Sequence, residues 1–353
     1  LSRKATDKLR VAVLGASGYS GAELVRALLG HPFVELAALG GDSTAGRKLS
    51  ELYPSLRGLD LELEKFDAAA LKGRVDLAFL CLPHVQSMVL GAPLVRSGIK
   101  VVDLSGDFRL KDAALYEKFY KHAHTEPELL KEAVYGLPEL HASDIRKARL
   151  VANPGCYTTT SILGAYPLLK AGKIKPDSII IDAKSGVSGM GRKLVEASQF
   201  AEIYDNFSAY SVGGGHRHIP EIEQELSAAT GGAVSVSFTP HLLPLSRGIL
   251  ATIYADLVEK ADEEALLKIT RDFYAAAPFV RVYGKGELPS LRSVRGTNFC
   301  DIGLKVDSRC KRAIIISCTD NLGKGAAFQA IQNMNLMQGW PEDEGLKFSA
   351  LTT

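Results

Sequence analysis

Neither sign of charge dominates this chain. Its 42 Lys and Arg stand against 40 Asp and Glu, a formal net charge of +2 over 353 residues. That leaves no basic field for nucleic acid and no acidic tail. Cysteine is scarce and scattered: Cys81, Cys156, Cys300, Cys310 and Cys318 are odd in number and lack metal-ligand spacing. A disulfide framework and a zinc site are both disfavoured, and a reducing compartment is expected. No apolar run reaches membrane-spanning length. Internal repeats, low-complexity tracts and long linkers are also missing. The expectation is therefore no metal, no nucleic acid and no membrane. The chain starts at Leu1 rather than Met. The expected location is cytoplasmic, or the plastid stroma if a transit peptide preceded Leu1.

What the chain does have is length for two domains and a large core, and one conspicuous turn. Asn153-Pro154-Gly155-Cys156-Tyr157 closes the apolar strand Leu150-Val151-Ala152 and opens the hydroxyl-rich run Thr158-Thr159-Thr160-Ser161. Pro154 and Gly155 force a sharp bend, so the Cys156 sulfur falls at or beside a helix N-terminus. The positive end of the helix dipole favours an anion there, and the thiolate is the reactive form of cysteine. A small core hydrophobe is the commoner fate of a lone Cys, but the turn favours a catalytic thiol.

The first half alternates strand and helix. A buried-strand run over 8–15 leads into Gly15-Ala16-Ser17-Gly18-Tyr19-Ser20-Gly21, then a helix over 22–29 and a second strand over 34–39. The unit has the length expected for dinucleotide binding, although its turn is G-x-x-G-x-x-G. Glycines there let backbone N–H groups approach a pyrophosphate. After the second strand come Ser43, Thr44, Arg47 and Lys48, which suit a ribose phosphate; Asp42 dissents, and an ordinary solvated loop fits as well. Strands expected over 75–81 and 99–104 end in polar turns containing Leu82, Pro83, His84, Ser105 and Arg109. Open parallel sheets bind ligands beyond the carboxyl ends of their strands. The glycine turn, these two loops and the Cys156 turn are thus expected to line one crevice, which makes Arg109 a ligand candidate.

From Asp177 the pattern shifts to longer, alternating strands, expected over 178–183, 233–240, 250–258, 279–283, 298–306 and 313–318, with a helix over 263–277. A mixed or antiparallel sheet with helices on one face follows. The run Gly215-His216-Arg217-His218-Ile219-Pro220 precedes a helix start. A histidine near a thiolate serves as proton donor or acceptor at neutral pH. In an extended run His216 and His218 would project to one face; His218, nearer the helix, is the better acid/base candidate. His84 and His241 stay open. The segment 319–334 reads as a loop followed by an amphipathic helix.

Taken together, LGASGYSGAEL (14–24), LPH (82–84), DLSGDFRL (103–110), YGLPEL (135–140), NPGCYTT (153–159), KSGVSGMGR (184–192), HRHIPEI (216–222) and TDNLGKGAAFQAIQNMN (319–335) resemble the N-acetyl-γ-glutamyl-phosphate reductase family, related to aspartate-semialdehyde dehydrogenase. Gly106 and Phe328 depart from the expected pattern. The resemblance implies an α/β fold: a Rossmann-type dinucleotide-binding domain over 8–155, completed by a C-terminal helix in 321–353. An α+β catalytic and oligomerisation domain with a mixed sheet would occupy 156–320. NADP is the implied cofactor, in a homodimer or homotetramer. The implied reaction is reduction of an acyl phosphate to a semialdehyde with release of inorganic phosphate, through a thioester on Cys156, in arginine biosynthesis. A relative acting on carrier-protein-linked glutamyl phosphate or on aspartyl phosphate is an alternative within this chemistry. From another class, a catalytically silent NADP-binding sensor or scaffold would keep the glycine turn but lose Cys156 or the histidine pair. Expected cofactor contacts are Gly15, Ser17, Gly18, Tyr19, Ser20, Gly21, Ser43, Thr44, Arg47, Leu82, Pro83, Ser105, Ser185, Gly186 and Asn321. Expected substrate contacts are Arg109, which matches phosphate oxygens in bidentate fashion, Asn153, and Arg192 or Arg217 for a carboxylate.

Overall fold

Long β-branched and leucine-rich runs set the first sheet. In the computed structural model, which describes residues 8–351, these runs become β1 (Leu9–Leu14), β2 (Val34–Gly40), β3 (Leu63–Glu64), β4 (Leu77–Leu80), β5 (Lys100–Asp103), β6 (Val134–Tyr135) and β7 (Leu150–Ala152). What precedes Leu1, and the last two residues of the 321–353 segment, lie outside the described residues. All seven strands are parallel in the order β3-β2-β1-β4-β5-β7-β6. Parallel strands are covered on both faces, which is why β4 reads as unbroken LAFL and is wholly buried. Between Val11 and Ala12 the register against β2 slips by one residue. The chain folds into two units, and the first comprises residues up to Pro154 together with Ala326–Lys347.

The returning helix, Phe328–Gln338, is not amphipathic as expected. Every residue from Phe328 to Met337 is buried. The Asn333 and Asn335 amides donate within the protein instead of to solvent. Asn333 donates to Gly136 O at 2.8 Å and to Asn153 Oδ1 at 3.0 Å, and Asn335 donates to the carbonyls of Glu342 and Glu344. Buried amides so paired avoid the ~1–3 kcal/mol cost of an unmade bond, and this allows a polar sequence in a core position. The two departures from the family pattern also have local reasons. A Cβ on Gly106 would lie 2.2 Å from Tyr120 Oη, and the Phe328 ring carries the Arg26 guanidinium at 5.5 Å.

The second unit, Gly155–Gly325 with residues 348–351, is built on β8 (Ile179–Gly186), β9 (Ser208–Ala209), β10 (Val236–Leu243), β11 (Ile249–Asp256), β12 (Val280–Val282), β13 (Cys300–Asp307) and β14 (Arg312–Thr319). The order is β12-β13-β14-β11-β8-β10-β9. The β8–β10 and β12–β13 pairs are parallel and the others antiparallel, so the sheet is mixed, as expected. Strict alternation of buried and half-buried residues along β11 marks one covered face. Helix Cys156–Lys170 lies against β11 and β14, and Glu263–Phe273 against β13. The latter helix ends four residues before the expected stop at 277. Strand β8 runs on to Gly186, beyond the expected 183, because Ser185 and Gly186 pair with Leu242 and Leu243. No helix among the described residues is long and apolar enough to cross a membrane.

Candidate active site

In the first unit the strand order reverses between β1 and β4, the place where an open parallel sheet receives a dinucleotide. Gly15 leaves β1 at φ +86°, and a Cβ on it would lie 2.2 Å from Cys81 O, just past β4; on Gly21 it would lie 2.3 Å from Gly15 O. The turn is closed so tightly that side chains are excluded at both places. Helix Tyr19–Leu28 starts directly behind it, and its N-cap, Gly18, makes no side-chain cap bond. Such a helix start is a ready anion site. Ser17 and Ser20 are half-buried beside it and Tyr19 is partly exposed.

The loop after β2 is mixed in character. Ser43 and Arg47 are exposed, Arg47 pairs with Glu51 at 3.3 Å, and Lys48 pairs with Asp60. Thr44 Oγ1 is buried without a hydrogen-bond partner, and a Cβ on Gly41 would lie 2.4 Å from it. A buried hydroxyl left without a partner is costly. A phosphate oxygen held between Thr44 and Arg47 would remove that cost.

The loops after β4 and β5 lock one another. Asp107, fully buried, accepts the N–H groups of Val85 at 2.9 Å and Met88 at 3.0 Å and the Tyr116 hydroxyl at 2.8 Å. These bonds hold Val85 at φ +73°, a conformation a β-branched residue adopts only when its surroundings impose it. Gly106 N–H donates to His84 Nδ1 at 3.0 Å, so His84 closes this loop pair. Ser105 donates its N–H and hydroxyl to Asp103 at 3.0 and 2.7 Å. Burial, then the nearby Asp107, push the Asp103 carboxyl up to about 6. Leu82 is buried and Pro83 stands exposed at the rim.

Arg109 and Asn153 are buried at the ends of β5 and β7. Arg109 is buried, and it donates Nε to Asn153 O and an Nη to Leu104 O, both at 2.8 Å. Asn153 is fully buried; its amide donates to Ala326 O at 3.2 Å and its Oδ1 accepts from Asn333 at 3.0 Å. Both side chains tie the ends of β5 and β7 to each other and to the returning segment.

The second unit opens with the thiol. Cys156 is the first residue of helix Cys156–Lys170, capped by Gly155 in extended conformation. Glu221, almost fully buried, reaches this helix start from helix Ile219–Thr230. Its Oε1 accepts Gly155 N–H and the Thr158 hydroxyl, each at 2.9 Å. A charge-assisted bond of this kind is worth roughly 1.5–3 kcal/mol. One turn further on, Thr160 meets Thr319 at 2.6 Å. Cys156 itself is half-buried. Burial pushes the Cys81 and Cys318 thiols well above the ordinary range, and Cys310 is exposed.

The two histidines lie in a turn, not in the extended run expected from the sequence. His216 Nδ1 accepts the N–H of His218 and His216 O accepts that of Ile219, each at 3.1 Å. Their rings nevertheless meet, with centroids 4.7 Å apart. An accepting Nδ1 assigns the proton of the neutral His216 ring to Nε2. Burial, and then Arg217, push His216 down to about 4, so it is neutral near pH 7. Tyr157 stands edge-on to His216 at 5.8 Å, to His218 at 6.1 Å and to Phe238 at 5.5 Å. Its hydroxyl donates to His241 O at 3.0 Å and accepts from Tyr210 at 3.2 Å. The His241 ring faces Asp182 at 3.2 Å.

The remaining expected contacts in this unit divide in two. Arg192 and Arg217 are exposed. Ser185 is buried within β8, and a Cβ on Gly186 would lie 2.8 Å from the carbonyls of Leu245 and Ser246. Asn321 accepts Gly248 N–H at 2.7 Å and donates to Ser188 at 2.9 Å. Glu221, Tyr157, Tyr210 and Phe238 were not singled out from sequence. Two signals were available: Tyr157 follows the thiol directly, and Glu221 falls in the first turn of the helix after the histidines. Among the described residues no group of three His, Cys, Asp or Glu is arranged to hold a metal.

Comparison with known proteins adds to this geometry. Residues 10–148 match the family described as semialdehyde dehydrogenase, NAD binding domain, and residues 156–321 the semialdehyde dehydrogenase, dimerisation domain. The chain is 51% identical over 339 residues to an N-acetyl-gamma-glutamyl-phosphate reductase of Symbiobacterium thermophilum, covering 96% of this chain and 97% of that protein. It is 52% identical over 339 residues to one of Pelotomaculum thermopropionicum, again covering 96% and 97%. Among solved structures it resembles aspartate semialdehyde dehydrogenase II of Vibrio cholerae, complexed with ASA (TM-score 0.72, 17% identity, 95% of this chain and 99% of that one). It also resembles the Candida albicans aspartate semialdehyde dehydrogenase with NADP (TM-score 0.71, 17% identity, 94% and 99%). At those identities the likeness is one of fold.

Proposed function

The chain belongs to the N-acetyl-γ-glutamyl-phosphate reductase family of semialdehyde dehydrogenases, and from that premise we propose that it reduces N-acetyl-γ-glutamyl phosphate to N-acetylglutamate semialdehyde with NADPH, in arginine biosynthesis. The observation that carries the reading is Cys156 as first residue of a helix whose start is held by a buried carboxylate, with the His216–His218 turn joined to that same carboxylate's helix. Relatives at about half identity are named for the acetylated substrate, which favours it over a carrier-protein-linked or aspartyl relative. A silent NADP-binding scaffold has no use for the Cys156 and histidine arrangement.

In the proposed mechanism Cys156 Sγ attacks the acyl carbon of the acyl phosphate. The carbon–oxygen bond to phosphorus breaks, inorganic phosphate leaves, and a thioester on Cys156 remains. The positive end of helix Cys156–Lys170 favours the thiolate before attack and the oxyanion during it. NADPH, when bound, supplies the hydride that reduces the thioester carbonyl carbon. His218 gives a proton to the oxygen of the resulting hemithioacetal and takes it back as the carbon–sulfur bond breaks, releasing the aldehyde and the thiolate. His216, neutral and with its Nδ1 committed to His218 N–H, fixes the His218 backbone and offers Nε2–H as a donor. Arg192 or Arg217, both exposed, is assigned the substrate carboxylate.

The residues present fit the cofactor. Gly15, Ser17, Gly18, Tyr19, Ser20 and Gly21 would hold the pyrophosphate, Ser43, Thr44 and Arg47 the ribose phosphate, with Leu82 and Pro83 beside them. Ser105, Arg109 and Asn153 in the first unit, and Ser185 and Asn321 in the second, are also hydrogen-bonded within their own unit, and the cofactor assignments of Ser105, Ser185, Gly186 and Asn321 and the substrate assignments of Arg109 and Asn153 belong to this proposal. The protein is assigned a homo-oligomeric state, dimer or tetramer, through residues 156–321. The test is phosphate-dependent reduction of NADP with N-acetylglutamate semialdehyde. Turnover that needs both phosphate and the acetylated aldehyde supports the reading; NADP binding without turnover defeats it.

A further inference from the structure

Val85 holds a backbone conformation that its own side chain opposes. It stands at φ +73° and ψ −39°, just before helix Gln86–Arg96, near the γ-turn geometry that is rare and strained. A β-branched residue stays there only when its surroundings impose it. The imposing group is one side chain. Val85 N–H ends on Asp107 Oδ1 at 2.9 Å, and Met88 N–H on Asp107 Oδ2 at 3.0 Å. Asp107 is fixed from its own side as well. Its N–H donates to Ser105 Oγ at 3.1 Å, its carbonyl accepts from His124 Nε2 at 2.8 Å, and Oδ1 also accepts the Tyr116 hydroxyl at 2.8 Å. A fully buried carboxylate with two acceptor oxygens thus satisfies both N–H groups that flank the bend.

The bend decides where the start of the loop stands. A Cβ on Gly15 would lie 2.2 Å from Cys81 O, so the chain after Cys81 leaves the sheet directly beside the glycine turn. Leu82 is buried there and Pro83 exposed. His84 Nδ1 accepts Gly106 N–H at 3.0 Å, a second tie from this loop to the β5 turn. Two ties to Gly106 and Asp107 therefore set the path of residues 82–85, and Val85 carries the strain between them.

We propose that Asp107 is a positioning residue for the dinucleotide: its grip on Val85 and Met88 maintains the strained bend, and the bend keeps Leu82 and Pro83 against bound NADP. Asp107 acts through the loop and not on the cofactor. The inference rests on the cofactor place assigned above to the glycine turn, Leu82 and Pro83, and is independent of which acyl phosphate is reduced.

The test is Asp107→Asn in the full chain. The amide keeps an acceptor for Val85 and Tyr116 but sets an N–H donor against the Met88 N–H, so the grip loses one of its two holds on the loop. Strain at a position such as Val85 is equivalent to about tenfold to a hundredfold in an equilibrium, and its release should raise the Kd for NADPH, read by fluorescence titration, about tenfold or more. The KM for NADPH should rise in step, with kcat at saturating cofactor within about threefold of wild type. Adding Val85→Gly to Asp107→Asn removes the strain and should return the Kd to within about threefold of wild type. Tyr116→Phe removes a bond to the same carboxylate that does not reach the loop; it should lower Tm and leave the Kd within about threefold of wild type. An unchanged Kd in Asp107→Asn overturns the proposal. So does a weakened Kd that Val85→Gly fails to restore, or a Tyr116→Phe protein weakened as much as Asp107→Asn. If Asp107→Asn does not fold, by circular dichroism, the same titration is made on Val85→Pro, which removes the Val85 N–H and fixes φ at about −65°. It should weaken NADPH by the same factor, and an unchanged Kd overturns the proposal. Wild-type protein that binds NADPH without turning over the acyl phosphate counts against the reductase reading alone, since the titration needs no acyl substrate.

Discussion

Adding one methyl group at Gly325 probes the candidate nucleophile without touching it. Gly325 sits in the turn Gly323–Ala327, its N–H donated to Asp320 O at 2.8 Å. Asp320 is itself fixed by the N–H groups of Leu322 and Gly323 at 2.9 and 3.0 Å and by Arg247 at 3.0 Å. A Cβ at Gly325 would lie 2.8 Å from Cys156 Cβ and 3.2 Å from Cys156 Cα. Carbon atoms settle at ~3.5–4.0 Å, so the turn and the cysteine must part by about 1 Å. Neither side is soft. The Asp320 bonds hold the turn, while Glu221 and the Thr160–Thr319 contact hold the helix start. Overpacking of this kind costs ~1–3 kcal/mol, or roughly 2–10 °C in Tm for a unit of this size. The kinetic effect should be larger in proportion, because ~1 Å of misplacement at a reacting group costs ~100-fold in rate. Gly325→Ala should therefore fold, bind NADPH like wild type and lose about a hundredfold in kcat. Steady-state kinetics with thermal unfolding and cofactor titration measure all three. A Gly325→Ala protein with wild-type kcat would show that Cys156 does not need this position and refute the reasoning.

Cys156→Ser should fold and bind NADP but lose nearly all turnover, since an alkoxide is far harder to form than a thiolate; inactivation by iodoacetamide should follow labelling of Cys156, with Cys310 labelled harmlessly, and an active serine variant would remove the role. His218→Asn should lower kcat strongly and flatten the pH–rate profile near neutrality, whereas His216→Asn should act mainly on substrate binding; the reverse ranking transfers the proton to His216. The folded value of His216, about 4, lies below its ordinary ~6.5. The unfolded chain therefore takes up the proton first as pH falls, so the stability of wild type relative to His216→Asn is fully present above ~6.5 and lost between there and about 4. A denaturant series across that range reads the slope, and a flat difference contradicts the burial argument. NADPH should be preferred over NADH, and Thr44→Ala with Arg47→Ala should weaken NADPH binding while sparing NADH; equal use of both by wild type would sink the assignment.

The fold was legible where backbone demands show directly in residue type. The β1 run, the glycine turn and the strand ending at Ala152 were placed to within a residue or two because apolar period and turn chemistry agree there. The helix at Phe328–Gln338 was misread as amphipathic because its Asn and Gln residues look like a solvated face. Only partners distant in sequence, such as Gly136 and Asn153, reveal that they are buried and bonded. The same blindness affected Arg109 and Asn153. Their residue types at a strand-end turn suggest ligands, and the sequence does not show that Arg109 also donates to Asn153 O and Leu104 O, or that Asn153 bonds Ala326 O and Asn333.

The candidate site shows the limit more sharply. Cys156 and the histidines stand out because their chemistry is rare and their turns are visible in sequence. What relates them is not visible: Glu221 lies 66 positions beyond Gly155, and nothing in local sequence pairs the two. Through that carboxylate the start of the thiol's helix is tied to the helix that His218 caps. A shift of one helix start therefore carries the other with it. The candidate thiol and the candidate proton donor are thereby linked through Glu221. Positioning of this kind is what a catalyst needs within a fraction of an ångström. It depends on long-range contacts, so sequence pattern can point to candidate reacting groups and still miss what aligns them.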